Sequence, residues 1–267
     1  MADQGLLAGQ RRALIVETLE REGAVRVSDL VTALAVSDMT IRRDLDALAR
    51  SGLLEKVHGG AVAVSRSAEE PGFDAKSTRE SASKASIADA AAALVQPGSV
   101  VALSGGTTTF AVAKRLLHLA DLTILTNSLP IEQLVRTHGD STARPPVVLL
   151  TGGTATRSQA LVGPIAERTI SSLHVDQLIL GTHGVTEAEG LTSPSLAEAQ
   201  TNRAFISRAR RVVVAADHTK WGTIGLSSFA SLDQVDCFIT DAALPADARA
   251  VLADTVGELV VVPDDPR

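Results

Sequence analysis

Cysteine and aromatic residues are scarce in this chain. Its 267 residues include one cysteine, Cys237, one tryptophan and no tyrosine, and aromatic side chains make up 2% of the total. A single cysteine excludes an internal disulfide framework and any zinc or iron–sulfur site built from several cysteines, as is typical of a reducing compartment. So few aromatic side chains argue against single-strand nucleic-acid binding by base stacking. We therefore expect a cytoplasmic protein with an aliphatic core.

Long apolar runs are also missing. The longest stretch without charge, residues 90–113, is interrupted by Gln96, Pro97 and several glycine, serine and threonine residues, so it is not a membrane span. No apolar segment with the flanks of a secretory signal begins the sequence. With 45% hydrophobic and 21% charged residues, the composition is that of a folded chain. Since the chain exceeds the ~150 residues of an average domain, two domains are expected.

Charge is distributed unevenly along the sequence. The whole chain carries −6, whereas residues 11–66 hold nine Lys/Arg against eight Asp/Glu, a balance of +1 that leaves −7 for the remainder. Affinity for duplex DNA comes from local contacts between cationic groups and phosphates, so an acidic remainder does not forbid a basic DNA-binding face. The charge distribution permits DNA binding by the N-terminal quarter without establishing it.

Three short helices are predicted in the first fifty residues. The first covers residues 11–22 and ends before Gly23, and its apolar face is formed by Leu14, Ile15, Thr18 and Leu19. The second begins near Ser28, an N-cap candidate followed by an acidic first turn. The third opens after Ser37, and its apolar positions repeat at i, i+4 and i+7: Ile41, Leu45 and Leu48.

The face of the third helix opposite Ile41 carries arginine. In a helix-turn-helix the second helix of the pair lies in the major groove and reads bases with its N-terminal residues. The predicted DNA-contacting residues of this helix are Ser37, Met39, Thr40, Arg42 and Arg43. The alternative is a solvated helix with Asp38–Arg42 and Asp46–Arg50 pairs, worth about a few tenths of a kcal/mol each.

Two β-compatible runs follow the third helix, at residues 53–58 and 61–64. Gly59-Gly60 separates them and is predicted to form a two-residue hairpin turn. Three helices followed by a hairpin make a winged helix, in which Lys56 and His58 would lie on the wing near DNA phosphates. For His58 the alternative is an ordinary exposed histidine.

These segments resemble a known family. The run VSDLVTALAVSDMTIRRDLDALARSGLLEKVHGGAV, residues 27–62, resembles the N-terminal DNA-binding signature of the DeoR family of bacterial transcription regulators. The resemblance implies a winged helix-turn-helix domain joined to a sugar-phosphate-sensing domain. We place the first domain at residues 8–64, a connector rich in Ser, Glu, Lys, Pro and Gly at 65–83, and the second domain at 84–262.

Strands and helices alternate in the second domain. Strands are predicted at 99–103, 123–126, 147–150, 177–180, 211–215, 237–240 and 258–262. Helices are predicted near 84–95, 107–119, 129–138, 164–173, 195–208 and 245–255. This alternation indicates an α/β fold with a mostly parallel sheet covered on both faces.

Glycine, hydroxyl, amide and basic side chains follow the predicted strands. Ligands of such sheets bind beyond the carboxyl ends of the strands. Glycines admit an anion to the backbone, a helix starting near Thr107 directs free N–H groups at it, and Arg157 and Lys220 supply countercharge. The predicted effector-binding residues are Ser104, Gly105, Gly106, Thr107, Thr108, Thr109, Asn127, Ser128, Gly152, Gly153, Arg157, His183 and Lys220. For each Gly-Gly pair, a tight βα turn is the alternative.

The resemblance extends over this domain. The segments SGGTTT (104–109), TNSLP (126–130), TGGTATRSQALVGP (151–164), ADHTKWG (216–222) and TDAALP (240–245) resemble the loops of the DeoR effector domain. The resemblance implies a fold akin to sugar-phosphate isomerases and coenzyme A transferases, with a phosphorylated metabolite as effector. Two positions depart from it. Gly-Thr-His-Gly stands at 181–184 where many members have Gly-Ala-Asp-Gly, and Lys76 often corresponds to arginine. The first departure replaces a carboxylate by an imidazole and leaves the effector's identity open.

The expected function is a DNA-binding transcriptional regulator, most often a repressor in this family, controlled by a phosphorylated sugar or related metabolite. Half-sites spaced by the helical repeat require at least a dimer, so a homo-oligomer, dimer or tetramer, is expected. One alternative is an isomerase or acyl transferase that uses the scattered histidines, and another is a constitutive DNA-binding scaffold. P-loop, G-x-G-x-x-G and metal-ligand spacings are missing, so neither a cofactor nor a metal is expected.

Overall fold

The computed structural model divides the chain into two units, Met1–Arg66 and Ser67–Arg267. It describes residues 8–22, 24–50, 54–57, 59–63, 72–73, 77, 80–138 and 145–263. His58 and Lys76 lie outside the described residues. Within the described ranges, no helix is both long and apolar enough to cross a membrane.

The first unit contains the three predicted helices. Its elements are α1 (Ala8–Glu22), β1 (Ala24–Arg26), α2 (Val27–Leu34), α3 (Asp38–Arg50), β2 (Leu54–Val57) and β3 (Gly60–Ala63). Their core includes Ile15, Leu19, Leu30, Ile41, Leu45 and Leu48. Two local predictions are wrong. Leu14 is 38% exposed because it lies beside the buried face of α1, and Ser28 does not cap α2, whose N-cap is Arg26.

The wing is a three-stranded antiparallel sheet in the order β1-β3-β2. Val57 pairs with Gly60, so Gly60 belongs to strand β3 and the predicted Gly59-Gly60 turn is wrong. Gly60 also pairs with Arg26 of the unpredicted strand β1. A Cβ atom at Gly60 would lie 2.1 Å from the carbonyl oxygen of Val25. This glycine therefore allows the close approach of two strands.

The second unit is built on a seven-stranded sheet, and every neighbouring pair is parallel. Its strands are β4 (Val100–Leu103), β5 (Thr123–Thr126), β6 (Val147–Leu150), β9 (Gln177–Leu180), β12 (Val212–Ala215), β14 (Cys237–Asp241) and β15 (Leu259–Val262). Its helices are α4 (Ser81–Ala93), α5 (Thr107–Leu116), α6 (Leu129–His138), α7 (Pro164–Ser171), α8 (Leu196–Ile206) and α9 (Ala246–Thr255). The predicted strand and helix sequence is confirmed, although α4 begins at Ser81 and not near residue 84.

Alternate residues of the strands enter two separate cores. Val101 and Leu103 of β4 pack with residues of α4, α5 and α6, whereas Ala102 packs with residues of α7, α8 and α9. This alternation follows from the two-residue period of a strand. The sheet is thus covered on both faces, as predicted.

The strand order is β15-β14-β12-β9-β4-β5-β6. The chain proceeds outward from β4 through β5 to β6, then returns to β9 on the other side of β4 and continues to β15. The connections therefore diverge between β4 and β9, and a crevice at the carboxyl ends of these strands is the usual ligand site of such folds.

Two small antiparallel sheets were not predicted. One joins β10 (Gly184–Thr186), β11 (Gly190–Ser193) and β13 (Ser227–Ala230), and the other is the hairpin of β7 (Thr154–Ala155) and β8 (Leu161–Val162). Strands of two to four residues are too short to show a clear alternation of apolar side chains. The β7–β8 hairpin nevertheless packs directly on the predicted effector site.

Candidate DNA-binding surface and effector site

Ser37 caps the N-terminus of α3. Its hydroxyl oxygen accepts from the backbone N–H of Thr40 at 3.3 Å, and the hydroxyls of Ser37 and Thr40 lie 2.9 Å apart. A capping serine satisfies one of the free N–H groups of the first helical turn. The cap fixes the start of the helix at the end predicted to read bases.

The exposed face of α3 carries Met39, Arg42 and Arg43. Met39 is 61% exposed although it is apolar, and Arg42 donates to Asp38 at 2.5 Å. The hydrogen bond from Arg42 lowers the pKa of the Asp38 carboxyl group. One ion pair of the alternative, Asp38–Arg42, therefore forms.

Lys56 is joined to the recognition helix. Its ammonium group lies 2.5 Å from a carboxylate oxygen of Asp46, and this hydrogen bond lowers the pKa of Asp46. The Asp46–Arg50 pair of the alternative is not formed: Asp46 bonds to the wing, and Arg50 acts on it only through longer-range charge. Lys56 is exposed, as expected, but its charge is partly neutralised within the unit.

Asp44 is a buried carboxylate that sequence reasoning missed. It lies between the apolar positions of α3, and its two oxygens accept from Arg11 at 2.6 Å and from Arg12 at 2.9 Å. The sequence does indicate this burial, because Asp44 is three residues after Ile41 and therefore lies on the same buried face of the helix. Two arginines of α1 thereby fix α3 against the first helix.

Ser104 joins the loops that follow β4 and β9. Its N–H donates to Ile179 at 3.2 Å, and its hydroxyl oxygen accepts from the N–H of Gly181 at 3.2 Å. The hydroxyl of Thr109 in turn donates to the carbonyl of Ser104 at 2.6 Å. Both predicted side chains are buried and stabilise the loop itself.

Asn127 links the phosphate-loop candidate, residues 104–109, to the β7–β8 hairpin. Its side-chain oxygen accepts from the N–H of Gly105 at 2.8 Å, and its amide nitrogen donates to the carbonyl of Leu161 at 3.0 Å. Ser128 forms a bridge with Ala160 of the same hairpin. The structure therefore brings Ser104, Gly105, Asn127 and Ser128 together, as the sequence predicted.

Gly105 is required by close packing. A Cβ atom at this position would lie 2.7 Å from the Cβ atom of Ala160. The next residue, Gly106, is the N-cap of α5 and has no side chain to bond the free N–H groups of Thr107 and Thr108. An anion at this end of α5 would receive those hydrogen bonds and the favourable end of the helix dipole.

Gly152 and Gly153 form the tight turn that leads from β6 into the hairpin. Their φ angles are +71° and +116°, and a Cβ atom at Gly153 would lie 2.5 Å from the carbonyl oxygen of Val162. Backbone geometry therefore explains why glycine occupies both positions. Arg157 is exposed in the loop between β7 and β8.

The remaining predicted residues follow β9 and β12 at the same edge of the sheet. The N–H of His183 donates to Thr192 at 3.2 Å. Lys220 ends a short 3-10 helix, His218–Lys220, capped by Asp217. His218 contacts Asp241 through its Nδ1 atom and its backbone N–H, both at 2.8 Å. The loop that carries Lys220 is thereby fixed to the end of β14.

Comparison with protein families decides the class of the chain. Residues 11–67 match the DeoR-like helix-turn-helix domain, and residues 79–242 match the DeoR C-terminal sensor domain. The chain belongs to the DeoR family. It is a DNA-binding transcriptional regulator with a small-molecule sensor domain, as predicted, and the names of its relatives are those of regulators and not of enzymes.

Similar proteins cover nearly the whole chain. The transcriptional regulator GlpR of Haloferax volcanii is 36% identical over 96% of this chain and 98% of its own length. The glycerol-3-phosphate regulon repressor of Escherichia coli is 34% identical over 92% of this chain and 95% of its own length. A ribose 5-phosphate isomerase of Methanocaldococcus jannaschii is 20% identical over 52% of this chain and 53% of that chain, with a TM-score of 0.36. This last likeness is partial and assigns nothing to the chain.

Among the described residues, no group of three or more His, Cys, Asp or Glu side chains is placed to hold a metal ion.

Proposed function

We propose that this DeoR-family protein is a cytoplasmic repressor of a sugar- or polyol-phosphate operon. It binds operator DNA through α3 and the wing as a homo-oligomer, dimer or tetramer, and a phosphorylated sugar or related metabolite bound in the second unit lowers its DNA affinity. Residues 8–64, 65–83 and 84–262 are the proposed DNA-binding, connecting and sensing segments.

The observation that carries the ligand class is the loop after β4. Gly106 provides no side-chain cap for the N–H groups of Thr107 and Thr108 at the start of α5, and the loop lies where the connections of the sheet diverge. Both features favour a phosphate group. The name of the relative from Escherichia coli, a glycerol-3-phosphate regulon repressor, supports the same chemical class.

The proposed DNA-binding residues are Ser37, Met39, Thr40, Arg42, Arg43, Lys56 and His58. The proposed effector-binding residues are the same ones that the sequence predicted. The mechanism is linkage: an effector reduces DNA affinity only if it binds more tightly to an arrangement of the subunits that fits the operator poorly.

The proposal is tested with the promoter fragment of the protein's own gene. Fluorescence anisotropy is expected to show saturable binding at low ionic strength, and glycerol 3-phosphate or another sugar phosphate is expected to release the DNA, whereas inorganic phosphate at equal ionic strength does not. Light scattering at micromolar concentration should give at least a dimer. A monomer that ignores the fragment would refute the proposal.

A further inference from the structure

Glu198 is a carboxylate that bonds to the loop carrying Arg157. It lies in the first turn of α8 and is half-buried. Its Oε1 atom accepts from the hydroxyl of Thr156 at 2.9 Å and from the hydroxyl of Ser158 at 2.5 Å. Hydroxyl donors from outside α8 therefore already converge on this carboxylate.

The helix does not use Glu198 as a cap. In a capping box, the acid at the third helical position accepts from the backbone N–H of the N-cap residue. Here the N-cap Ser195 accepts from the N–H of Glu198 at 3.3 Å, but the N–H of Ser195 donates to Ser193 at 3.2 Å. The Glu198 side chain reaches the hairpin loop instead, so helix capping does not explain its orientation.

The same loop connects Glu198 to the phosphate-loop candidate. The N–H of Thr156 donates to the carbonyl of Ala160 at 2.8 Å, and Ala160 is the residue that packs against Gly105. The turn of the hairpin thus contacts both Glu198 and the phosphate-loop candidate.

We propose that Glu198 binds the hydroxyl groups of the phosphorylated effector, an inference that rests on the proposed function. Within the described part of the chain, no hydrogen bond reaches its Oε2 atom, which leaves acceptor capacity for a polyol.

The experiment compares E198Q with the wild type and with E167Q. Glu167 is the matched control, because it is also a half-buried acid in the first turn of a neighbouring helix, α7. Affinities for inorganic phosphate, glycerol 3-phosphate, ribose 5-phosphate and fructose 1-phosphate are measured by calorimetry. For the best ester, E198Q should lose about 10- to 100-fold in affinity, as expected for a charge-assisted hydrogen bond, while its affinity for inorganic phosphate and the behaviour of E167Q stay unchanged.

The other binding results count against the inference. If the wild type prefers an ester and E198Q keeps that preference, Glu198 does not bind the hydroxyls. If E198Q loses ester and inorganic phosphate equally, the residue only maintains the fold of the loop. If E198Q fails to fold, the same affinities are measured for E198D, which keeps the charge but has a shorter side chain. A wild type that binds no ester refutes the proposed function first, and the inference with it.

Discussion

At the scale of the residue, neighbouring arginines on α3 differ in their surroundings. Arg42 is bonded to Asp38, whereas Arg43 is exposed and takes part in no ion pair with the described residues. Arg43 is therefore the better candidate for a base contact, because no internal bond has to break before it reaches the major groove.

Replacing Arg43 by alanine is expected to weaken binding to the promoter fragment by about 1–3 kcal/mol if the side chain reads a base. The measurement is an anisotropy titration at fixed salt concentration. Arg210→Ala is the control, since Arg210 is also exposed but lies in the second unit. Equal affinities for the wild type and R43A would remove Arg43 from the DNA-binding surface.

The sequence predicted which side chains of α3 are exposed better than it predicted their ion-pair partners. The helical period placed Met39 and Arg43 at the surface, and both are exposed. The same period could not predict that Lys56 bonds to Asp46, because that contact depends on how the wing folds back on α3. The helical period also did not predict the partners of Asp44, which are Arg11 and Arg12 of α1.

At the scale of the element, the Lys56–Asp46 bond joins the wing to the recognition helix. If Lys56 contacts DNA as proposed, this bond competes with a DNA phosphate for the same ammonium group. We expect D46N to bind non-specific duplex more tightly than the wild type, with a salt slope steeper by about one released ion. D29N removes an equal charge from the exposed surface of α2 and should change both quantities less. A weaker or unchanged affinity of D46N would show that Lys56 makes no phosphate contact.

The pH dependence of this bond has a definite sign. Because Lys56 lowers the pKa of Asp46 in the folded protein, the stabilisation by the pair is complete above the ordinary carboxyl pKa. It is lost only as the pH falls through the lowered value. The pair therefore persists throughout the neutral range, and titrating DNA binding there should reveal no contribution from Asp46.

The hairpin and the phosphate loop form a second pair of elements whose fit can be tested. G105A places a methyl group against Ala160, so we expect a loss of about 1–3 kcal/mol in stability from overpacking and a weaker response to phosphate esters. The double variant G105A/A160G removes the opposing methyl group and should recover most of both losses. Thermal unfolding with and without glycerol 3-phosphate measures the two effects. Additive losses in the double variant would contradict this packing account.

Long elements were predictable and short ones were not. The seven parallel strands and six α-helices that the structure describes from residue 80 onward follow from apolar runs and amphipathic periods. The β7–β8 hairpin has two-residue strands and depends on contacts with Asn127 and Ser128, which lie more than twenty residues away. For this reason the sequence identified Asn127 and Arg157 as site candidates but not the turn that connects them.

At the scale of the whole molecule, the reactivity of Cys237 measures the unfolding of the second unit. It is fully buried in β14, and burial raises the pKa of its thiol. We expect no reaction with Ellman's reagent under native conditions at neutral pH, because the thiolate is disfavoured and inaccessible. One equivalent should react in urea, at the midpoint of unfolding of this unit. Rapid labelling of the native protein would contradict the burial of β14.

The pairing of β4 with β9 also determines when the proposed ligand site of the sensor domain forms. Val101 pairs with Gln177, so the register between the two halves of the sheet forms only after a long loop has closed. If that closure follows the rate-limiting barrier, an effector recognises the finished domain and no earlier species. The stabilisation by the effector would then appear entirely as a slower unfolding rate, and the refolding rate would not change.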